Sequence, residues 1–293
     1  MAKILVVLDP ARDEQSALMR CEEIAKWTDI DVHVALFVPY DEIPMDCNFF
    51  ASKHAWLAEV VETLGDVKGT VTSSIIPFER LYEEIIKTAR SEKVDFIFKP
   101  IRRHSKLQRL FYTSTDWNLI RLCPTPLLLV SSTNSVAGKP VVAAVDVCTE
   151  DEEHMELNRI VMSEAQVVAN VLGSKLLVAN AFVIPATVMA AGGQKERMSY
   201  EITRARHVDH LEQTRELARE FGADEDAAFV QEGTASTVVN ELARKEDAAV
   251  IVIGTVARSG VQGLIIGNTA EAVLEASKTD VLVVKQADFR SPI

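Results

Sequence analysis

Residues 249–254 read Ala249-Val250-Ile251-Val252-Ile253-Gly254, an apolar run that ends in glycine. Because the run does not alternate between polar and apolar residues, both of its faces are suited to burial. This is typical of a strand in a parallel sheet that is covered by helices on both sides. Amphipathic segments with helical spacing precede and follow the run, and this alternation predicts a doubly wound α/β fold.

The same pattern occurs twice in the chain. Asp95–Val130 aligns without a gap with Ala249–Val284, at an offset of 154 residues, and hydrophobic character is shared at nearly every strand position. Each half also begins with an apolar run that ends in aspartate, at Asp9 and at Asp146. A length of 293 residues suits two domains. The sequence therefore predicts two copies of one domain, each with five strands and four helices in alternation.

The boundary between the copies is predicted from composition. Residues 131–139 are small or polar and have no periodicity, as in a linker. We assign residues 1–133 to the first domain, 134–139 to the linker, 140–285 to the second domain and 286–293 to a tail. Each domain is predicted to contain a five-stranded parallel sheet flanked by helices, in a Rossmann-like arrangement.

Composition and charge restrict the function. The net charge of −12 opposes binding to a phosphate backbone, so we expect no nucleic-acid partner. The four cysteines lack C-x-x-C or disulfide-framework spacing, which favours reduced thiols in a cytoplasmic protein. The first residues do not resemble a signal peptide, and no apolar run approaches the roughly 20 residues that span a bilayer. We expect a cytoplasmic protein without a membrane span.

The loop after the fourth strand of the second half is rich in glycine. Residues 254–267 include four glycines, the first and last being Gly254 and Gly267, and Asn268 and Thr269 follow at the start of the last helix. Glycine lets backbone amides approach an oxyanion, and a helix amino terminus attracts one, so the loop is suited to binding phosphate. A tight strand-to-helix connection, with glycines needed only for turn geometry, is an equally good interpretation.

This layout resembles the universal stress protein family, whose nucleotide-binding members have Gly, two residues, Gly, nine residues, Gly and then Ser or Thr after the fourth strand. Gly254 and Gly267 match that pattern, whereas Ala257 replaces the middle glycine and Asn268 replaces Ser or Thr. The methyl group of Ala257 would penalise a positive φ or crowd a phosphate. The stretches around Thr115 and Thr269 resemble the tandem, E-type branch of the family.

The resemblance implies a fold of the adenine-nucleotide alpha hydrolase type and a site for ATP, ADP or AMP, with Mg²⁺ accompanying the nucleotide. Asp146 matches a family aspartate at the adenine and ribose end, and the backbone of Ala181 matches a position that meets the base. The nucleotide-binding residues that it implies are Asp146, Ala181, Gly254, Val256, Ala257, Gly267, Asn268 and Thr269.

The first half lacks the glycines, and a basic cluster occupies the same loop. Arg102, Arg103, Lys106 and Arg109 belong to this cluster, and with Asp9 they are candidates for holding an anionic ligand. A solvated loop is the alternative interpretation. For the helix that follows, Thr115 is the expected N-cap.

Three functions remain open on the sequence. The first is a nucleotide-binding or anion-binding stress-response protein that is not an enzyme. The second is a weak ATP hydrolase, with Asp146 as the one evident general base. The third is an interaction protein without a ligand. Family resemblance also implies that the final strands, residues 126–130 and 280–284, pair within the chain as a pseudo-dimer, and that a homodimer can form.

Other sites are not supported by a motif. His207 and His210 have the spacing of metal ligands on a helix, but no third ligand is recognisable, so we expect them to face solvent and predict no metal site.

Overall fold

The computed structural model describes residues 1–46, 48–65, 67–104, 109–149, 151–184, 194–255, 258–260, 263–265 and 267–293. Of residues 102–104, 109–111, 194–200, 258–260 and 263–265, only the backbone is described. Within these ranges, no helix is long and apolar enough to cross a membrane.

The first half alternates strands and helices in the predicted order. Its strands are β1 (Ala2–Val7), β2 (Ile30–Pro39), β3 (Val71–Phe78), β4 (Phe96–Pro100), β5 (Arg102–His104), β6 (Arg109–Phe111) and β7 (Leu127–Val130). Its helices are α1 (Ser16–Ala25), α2 (Asn48–Glu62), α3 (Leu81–Ser91) and α4 (Ser114–Leu122).

The second half repeats this order. Its strands are β8 (Val141–Val145), β9 (Leu176–Phe182), β10 (Ala228–Glu232), β11 (Val250–Gly254), β12 (Arg258–Gly260), β13 (Gly263–Ile265) and β14 (Asp280–Val284). Its helices are α5 (Glu152–Val171), α6 (Gln194–Glu220), α7 (Ala235–Lys245) and α8 (Asn268–Ala276).

One ten-stranded sheet runs through both halves of the described chain. Its order is β10-β9-β8-β11-β14-β7-β4-β1-β2-β3, and neighbouring strands within each half are parallel. The halves meet where β14 pairs with β7 in antiparallel register, with Leu282 opposite Leu128. The predicted α/β fold and the predicted pairing of the two final strands are both confirmed.

Two short hairpins were not expected from the sequence. The loop after β4 contains β5 paired with β6, and the loop after β11 contains β12 paired with β13, where Gly260 lies opposite Gly263. Gly260 is thus the last residue of β12, and Gly263 is the first residue of β13. The hairpins also reach across the pseudo-dimer, because β6 contacts α8 and β13 contacts α4.

Apolar side chains cover both faces of the sheet. One core contains α1, α2, α5 and α6, represented by Leu18, Leu57, Val161 and Leu217, and the other contains α3, α4, α7 and α8, represented by Ile85, Leu119, Leu242 and Leu274. Every residue of β7 and β14 is buried. Because each core includes residues of both halves, the halves share their hydrophobic stabilisation.

A buried ion pair links the halves beside the β7–β14 joint. The Nε of Arg20, on α1, donates to Asp280 Oδ2 at 2.8 Å, and Asp280 Oδ1 accepts from the amide and hydroxyl of Ser131 at 2.7 and 2.8 Å. Arg20 and Asp280 are 3% and 2% exposed. These bonds satisfy both charges, as burial requires.

The segment between the halves is held against α1 by Glu23. Its Oε1 accepts from the hydroxyl of Ser135 and from the amides of Val136 and Ala137, the last two at 2.9 and 3.1 Å. Partial burial opposes ionisation of Glu23, but these hydrogen bonds and the charge of Arg20 lower its pKa below the usual value. The connecting segment is therefore ordered by contacts with the first half.

Candidate functional site

A cavity of about 660 Å³ lies at the carboxyl ends of β8, β9 and β11. Strand order reverses between β8 and β11, and open α/β sheets bind ligands at such a point. The volume is typical of sites for small molecules. Of the predicted nucleotide-binding residues, the structure brings together Asp146, Ala181, Gly254, Gly267, Asn268 and Thr269. Val256 and Ala257 lie outside the described residues, and nucleotide binding by the set stays a prediction.

Asp146 follows β8 and is positioned through its backbone. The side chain of Asn158, on α5, accepts from Asp146 N at 3.0 Å and donates to Asp146 O at 2.6 Å. Asn158 is buried, whereas Asp146 is exposed. The arrangement fixes the end of the strand, and Asp146 lines the cavity there.

The amino terminus of α8 forms the opposite part of the cavity. Gly267 is the N-cap, and the helix has no side-chain cap there. The first amides of a helix have no partner within it, and they carry part of the positive end of the helix dipole. Gly267, Asn268 and Thr269 are exposed. This end of the cavity can therefore bind an anion through backbone N–H groups.

The two glycines of the family pattern differ in what they require. A Cβ at Gly254 would lie 2.5 Å from Leu157 Cγ, so the close packing of α5 on β11 demands glycine there. A Cβ at Gly267 would meet nothing within 4 Å, and φ of −61° suits any residue. Gly254 thus has a structural explanation without a ligand, whereas no described contact explains Gly267.

The corresponding helix of the first half begins differently. Thr113 is the N-cap of α4 and forms a capping box with Asp116, so the expectation of Thr115 as N-cap is wrong by two residues. Asp116 Oδ2 accepts from Thr113 N at 2.6 Å and from its hydroxyl at 2.7 Å, and Asp116 Oδ1 accepts from Lys99 Nζ at 2.7 Å. Asp116 is fully buried. The capping box satisfies the amides of Thr113 and Asp116, and the carboxylate places a negative charge at the positive end of the helix dipole.

Of the predicted anion site of the first half, Asp9 is the residue whose side chain the structure describes. Asp9 Oδ2 lies 3.4 Å from Arg12 Nε, and Asp9 Oδ1 accepts from Ala11 N. Arg102 and Arg103 lie on β5 and Arg109 lies on β6, but their side chains and all of Lys106 are outside the described structure. An anion in this half stays a prediction, and it would depend on those basic side chains.

Sequence reasoning missed the contribution of α5 to the site. His154, Leu157, Asn158 and Val161 follow helical spacing and line the cavity together. His154 Nδ1 lies 2.7 Å from Asp151 Oδ2. The available signal was the presence of polar His154 and Asn158 on the same face of an amphipathic helix as Leu157 and Val161.

The expectation that His207 and His210 face solvent is wrong. Both are half-buried, and their rings lie 6.1 and 5.3 Å from the ring of Phe182. His210 Nδ1 is 2.5 Å from Asn180 Oδ1, and Asn180 Nδ2 donates to Val145 O at 3.0 Å. Burial lowers the pKa of His210, and the charge of Asp146 opposes this only partly. The two histidines therefore support the strand ends of the site.

A second cavity of about 500 Å³ adjoins the first beside α6. It shares Asp146, Ala181 and Val183 with the first cavity, so the two spaces meet at the β8 and β9 ends. Its remaining residues are Cys148, Phe182, Arg206, Asp209, His210 and Gln213.

Comparisons with known proteins agree with the duplicated architecture. The model of the universal stress protein family matches residues 1–131 and again residues 139–285. Universal stress protein E of Escherichia coli strain K12 is 26% identical over 99% of this chain and 96% of its own length. The resemblance drawn from the sequence, including its tandem form, is confirmed.

Solved structures show the same fold. A functionally unknown protein from Pseudomonas aeruginosa PAO1 has a TM-score of 0.77 at 29% identity, over 98% of this chain and 94% of that chain. A universal stress protein from Archaeoglobus fulgidus DSM 4304 has a TM-score of 0.63 at 17% identity, over 97% of this chain and 98% of that chain.

Proposed function

The chain belongs to the universal stress protein family, and we propose on this basis that it acts in the stress response by binding an adenine nucleotide in its second half. ATP, ADP and AMP are the ligands considered. Binding changes the conformation or the partners of the protein, without chemistry on the nucleotide. The first half supports this site through the shared sheet and cores.

The observation that carries the proposal is the contrast between the starts of α4 and α8. In the first half, Lys99 and Asp116 satisfy the helix terminus with a buried ion pair. At the corresponding positions of the second half, Ile253 and Ala270 supply no charge, and Gly267 supplies no capping side chain. Since the α8 terminus opens on a cavity, an external anion is its natural partner.

The remainder of the cavity suits a nucleoside attached to that anion. The Asp146 carboxylate can accept hydrogen bonds from ribose or base, and the backbone of Ala181 lies at the end of β9 in the same cavity. Apolar groups between these ends, including Leu157 and Val161, can contact the faces of a sugar and a base.

Mg²⁺ is proposed to enter with the nucleotide. Within the described residues, no group of three His, Cys, Asp or Glu side chains can hold a metal ion by itself. The phosphates of the nucleotide would therefore supply ligands to the ion.

The direct test uses the full chain, calorimetric titration and thermal unfolding with ATP, ADP and AMP. Ligand at about 100 times its dissociation constant is expected to stabilise the native state by about 2.7 kcal/mol. No heat and no stabilisation at millimolar nucleotide would reject nucleotide binding and favour an interaction protein. Native mass spectrometry of the same sample counts subunits and detects a ligand that co-purifies.

Hydrolysis is tested on the same sample. If the parent releases phosphate from ATP and the rate falls in Asp146→Asn, the proposed non-catalytic role would be contradicted. A trace rate that Asp146→Asn leaves unchanged would be attributed to a contaminant.

A further inference from the structure

His154 is a polar residue of the cavity whose ring orientation is fixed. Its Nδ1 lies 2.7 Å from Asp151 Oδ2, and Asp151 is the N-cap of α5, with Oδ1 accepting from Glu153 N at 3.1 Å. The ring lines the cavity and its side chain is 25% exposed. Since Asp151 engages Nδ1, Nε2 is the nitrogen that can meet a ligand.

The position of α5 shows which side of the cavity His154 lines. Leu157 packs against Gly254 at the end of β11, and Gln286, just beyond β14, donates to Glu153 O at 3.2 Å. The first turn of α5 therefore crosses above the ends of β11 and β14. Ala181 and Val183 line the cavity from the opposite side, at the end of β9.

This placement puts His154 on the side of the cavity where β11 ends, and the start of α8 lines the same cavity. The backbone amides of that helix supply a diffuse positive potential. Because the Asp151 carboxylate can only accept, a neutral His154 ring directs its one N–H to Asp151. The protonated ring adds a directional Nε2–H together with a full positive charge. Among the described residues that line the cavity or contact His154, Asp146 and Asp151 are charged, one lining the cavity from the loop after β8 and one capping the same helix.

We propose that His154, oriented by Asp151 and carrying a proton on both ring nitrogens when the ligand is bound, donates Nε2–H to the phosphate of the bound nucleotide, and so makes the site select nucleotides over nucleosides. The proposal rests on nucleotide binding by the second half. It adds a side chain that favours ligands with a phosphate group over ligands without one. Its ligand class is an adenine nucleoside that carries a phosphate ester.

The experiment compares AMP with adenosine by calorimetric titration of the full chain. His154→Gln is expected to weaken AMP binding about tenfold, as loss of a charge-assisted hydrogen bond predicts, and to change adenosine binding less than about twofold. Asp151→Asn, which keeps the N-cap oxygen but not the charge, is expected to weaken AMP binding by less. His154→Arg is expected to restore part of the affinity for AMP, because it returns a cationic donor.

The control is His54→Gln, which changes an exposed histidine on α2 in the first half and is expected to leave both affinities unchanged. Thermal unfolding of each variant establishes that it is folded. Equal loss of AMP and adenosine binding in His154→Gln, or no loss of either, would overturn the role of His154 while the parent still binds AMP. A parent that binds no nucleotide would overturn both this role and the proposed function.

Discussion

Asn158 holds Asp146 by both of its backbone groups, with N···O distances of 3.0 and 2.6 Å. Gln15 holds Asp9 in the same way in the first half, accepting from Asp9 N and donating to Asp9 O, both at 2.9 Å. A side-chain amide thus continues the strand hydrogen bonding past the end of each first strand. Only the second half combines this device with an uncapped helix terminus, so the pair offers a matched test.

Asn158→Leu is expected to weaken AMP binding about tenfold and to lower the free energy of unfolding by about 1–3 kcal/mol, because it leaves Asp146 N and O without partners. Gln15→Leu should cost similar stability and leave AMP affinity unchanged. Chemical denaturation and calorimetric titration measure the two effects. Equal loss of affinity in both variants would show that general destabilisation, rather than the position of Asp146, controls binding.

Gly267→Ser is expected to change stability and affinity in opposite directions. There is room for the side chain, and its oxygen can accept from the start of α8 as Thr113 does on α4, so the ligand-free protein should gain about 0.3–0.5 kcal/mol. The same oxygen competes with phosphate for the helix amides, so AMP binding should weaken. Gly267→Ala separates the two causes, since it adds a methyl group without a capping oxygen. Tighter AMP binding by Gly267→Ser would contradict an anion site at this terminus.

Gly254→Ala is expected to destabilise the protein by about 1–3 kcal/mol, because its Cβ would overlap Leu157. The double variant Gly254→Ala with Leu157→Ala should be more stable than the sum of the single effects predicts, since the second change removes the overlap. Denaturant titration of the four proteins gives the coupling. Strict additivity would mean that Gly254 is required for another reason.

Lys99→Met is expected to cost about 3–5 kcal/mol, because it leaves Asp116 charged and buried without its cation. The double variant Lys99→Ile with Asp116→Ala installs the residues found at the matching positions of the second half. It should recover much of the loss, since no buried charge then lacks a partner. A double variant as unstable as Lys99→Met alone would show that packing, rather than charge, dominates this site.

Lys285 is expected to make stability rise with pH in a defined window. It is buried between the halves, where Nζ donates to Ile120 O at 2.6 Å and to Thr255 Oγ1 at 2.8 Å, and burial lowers its pKa from 10.5 to about 8. Between pH 8 and 10.5 the unfolded chain therefore binds more protons than the native protein. The free energy of unfolding should increase across that window by on the order of 3 kcal/mol. The destabilisation caused by burying the charged amine should be fully present below pH 8.

The measurement is the difference in unfolding free energy between the parent and Lys285→Met from pH 7 to 10.5. The comparison with Lys285→Met is needed because Cys21 and Cys123 make stability fall as pH rises. Burial raises the pKa of these thiols to about 12 and about 11, so the native protein keeps protons that the unfolded chain loses. Parallel pH profiles for the parent and Lys285→Met would refute a depressed pKa at Lys285.

The fold was predictable because its signals are local. The unbroken apolar runs such as Val250–Gly254 mark buried strands, and their repetition marks the duplication. The hairpins were not predictable, since three-residue strands such as Arg258–Gly260 are too short to show a period. Helix starts also depend on contacts with other elements: α1 begins at Ser16, directly after Gln15, whose side chain hydrogen-bonds the backbone of Asp9.

The site was predictable as a location and less so as a set of contacts. Asp146 and Gly267 were found because strand ends and loop glycines can be recognised locally. The packing need of Gly254 depends on Leu157, which is distant in sequence, and the roles of Asn158 and His154 depend on how α5 crosses the strands. The ion pair of Asp116 with Lys99 joins residues 17 apart in sequence, on α4 and β4, so it depends on how the two elements pack.

The antiparallel pairing of β7 with β14 joins the two halves as a pseudo-dimer within a single chain. In a dimer of identical chains, each substitution would appear at both sites. Here Lys99 and Asp116 form a buried ion pair in the first half, while the matching residues of the second half, Ile253 and Ala270, are apolar. A single continuous chain thus permits asymmetry under a symmetric architecture, because a mutation can alter one half without being copied into the other.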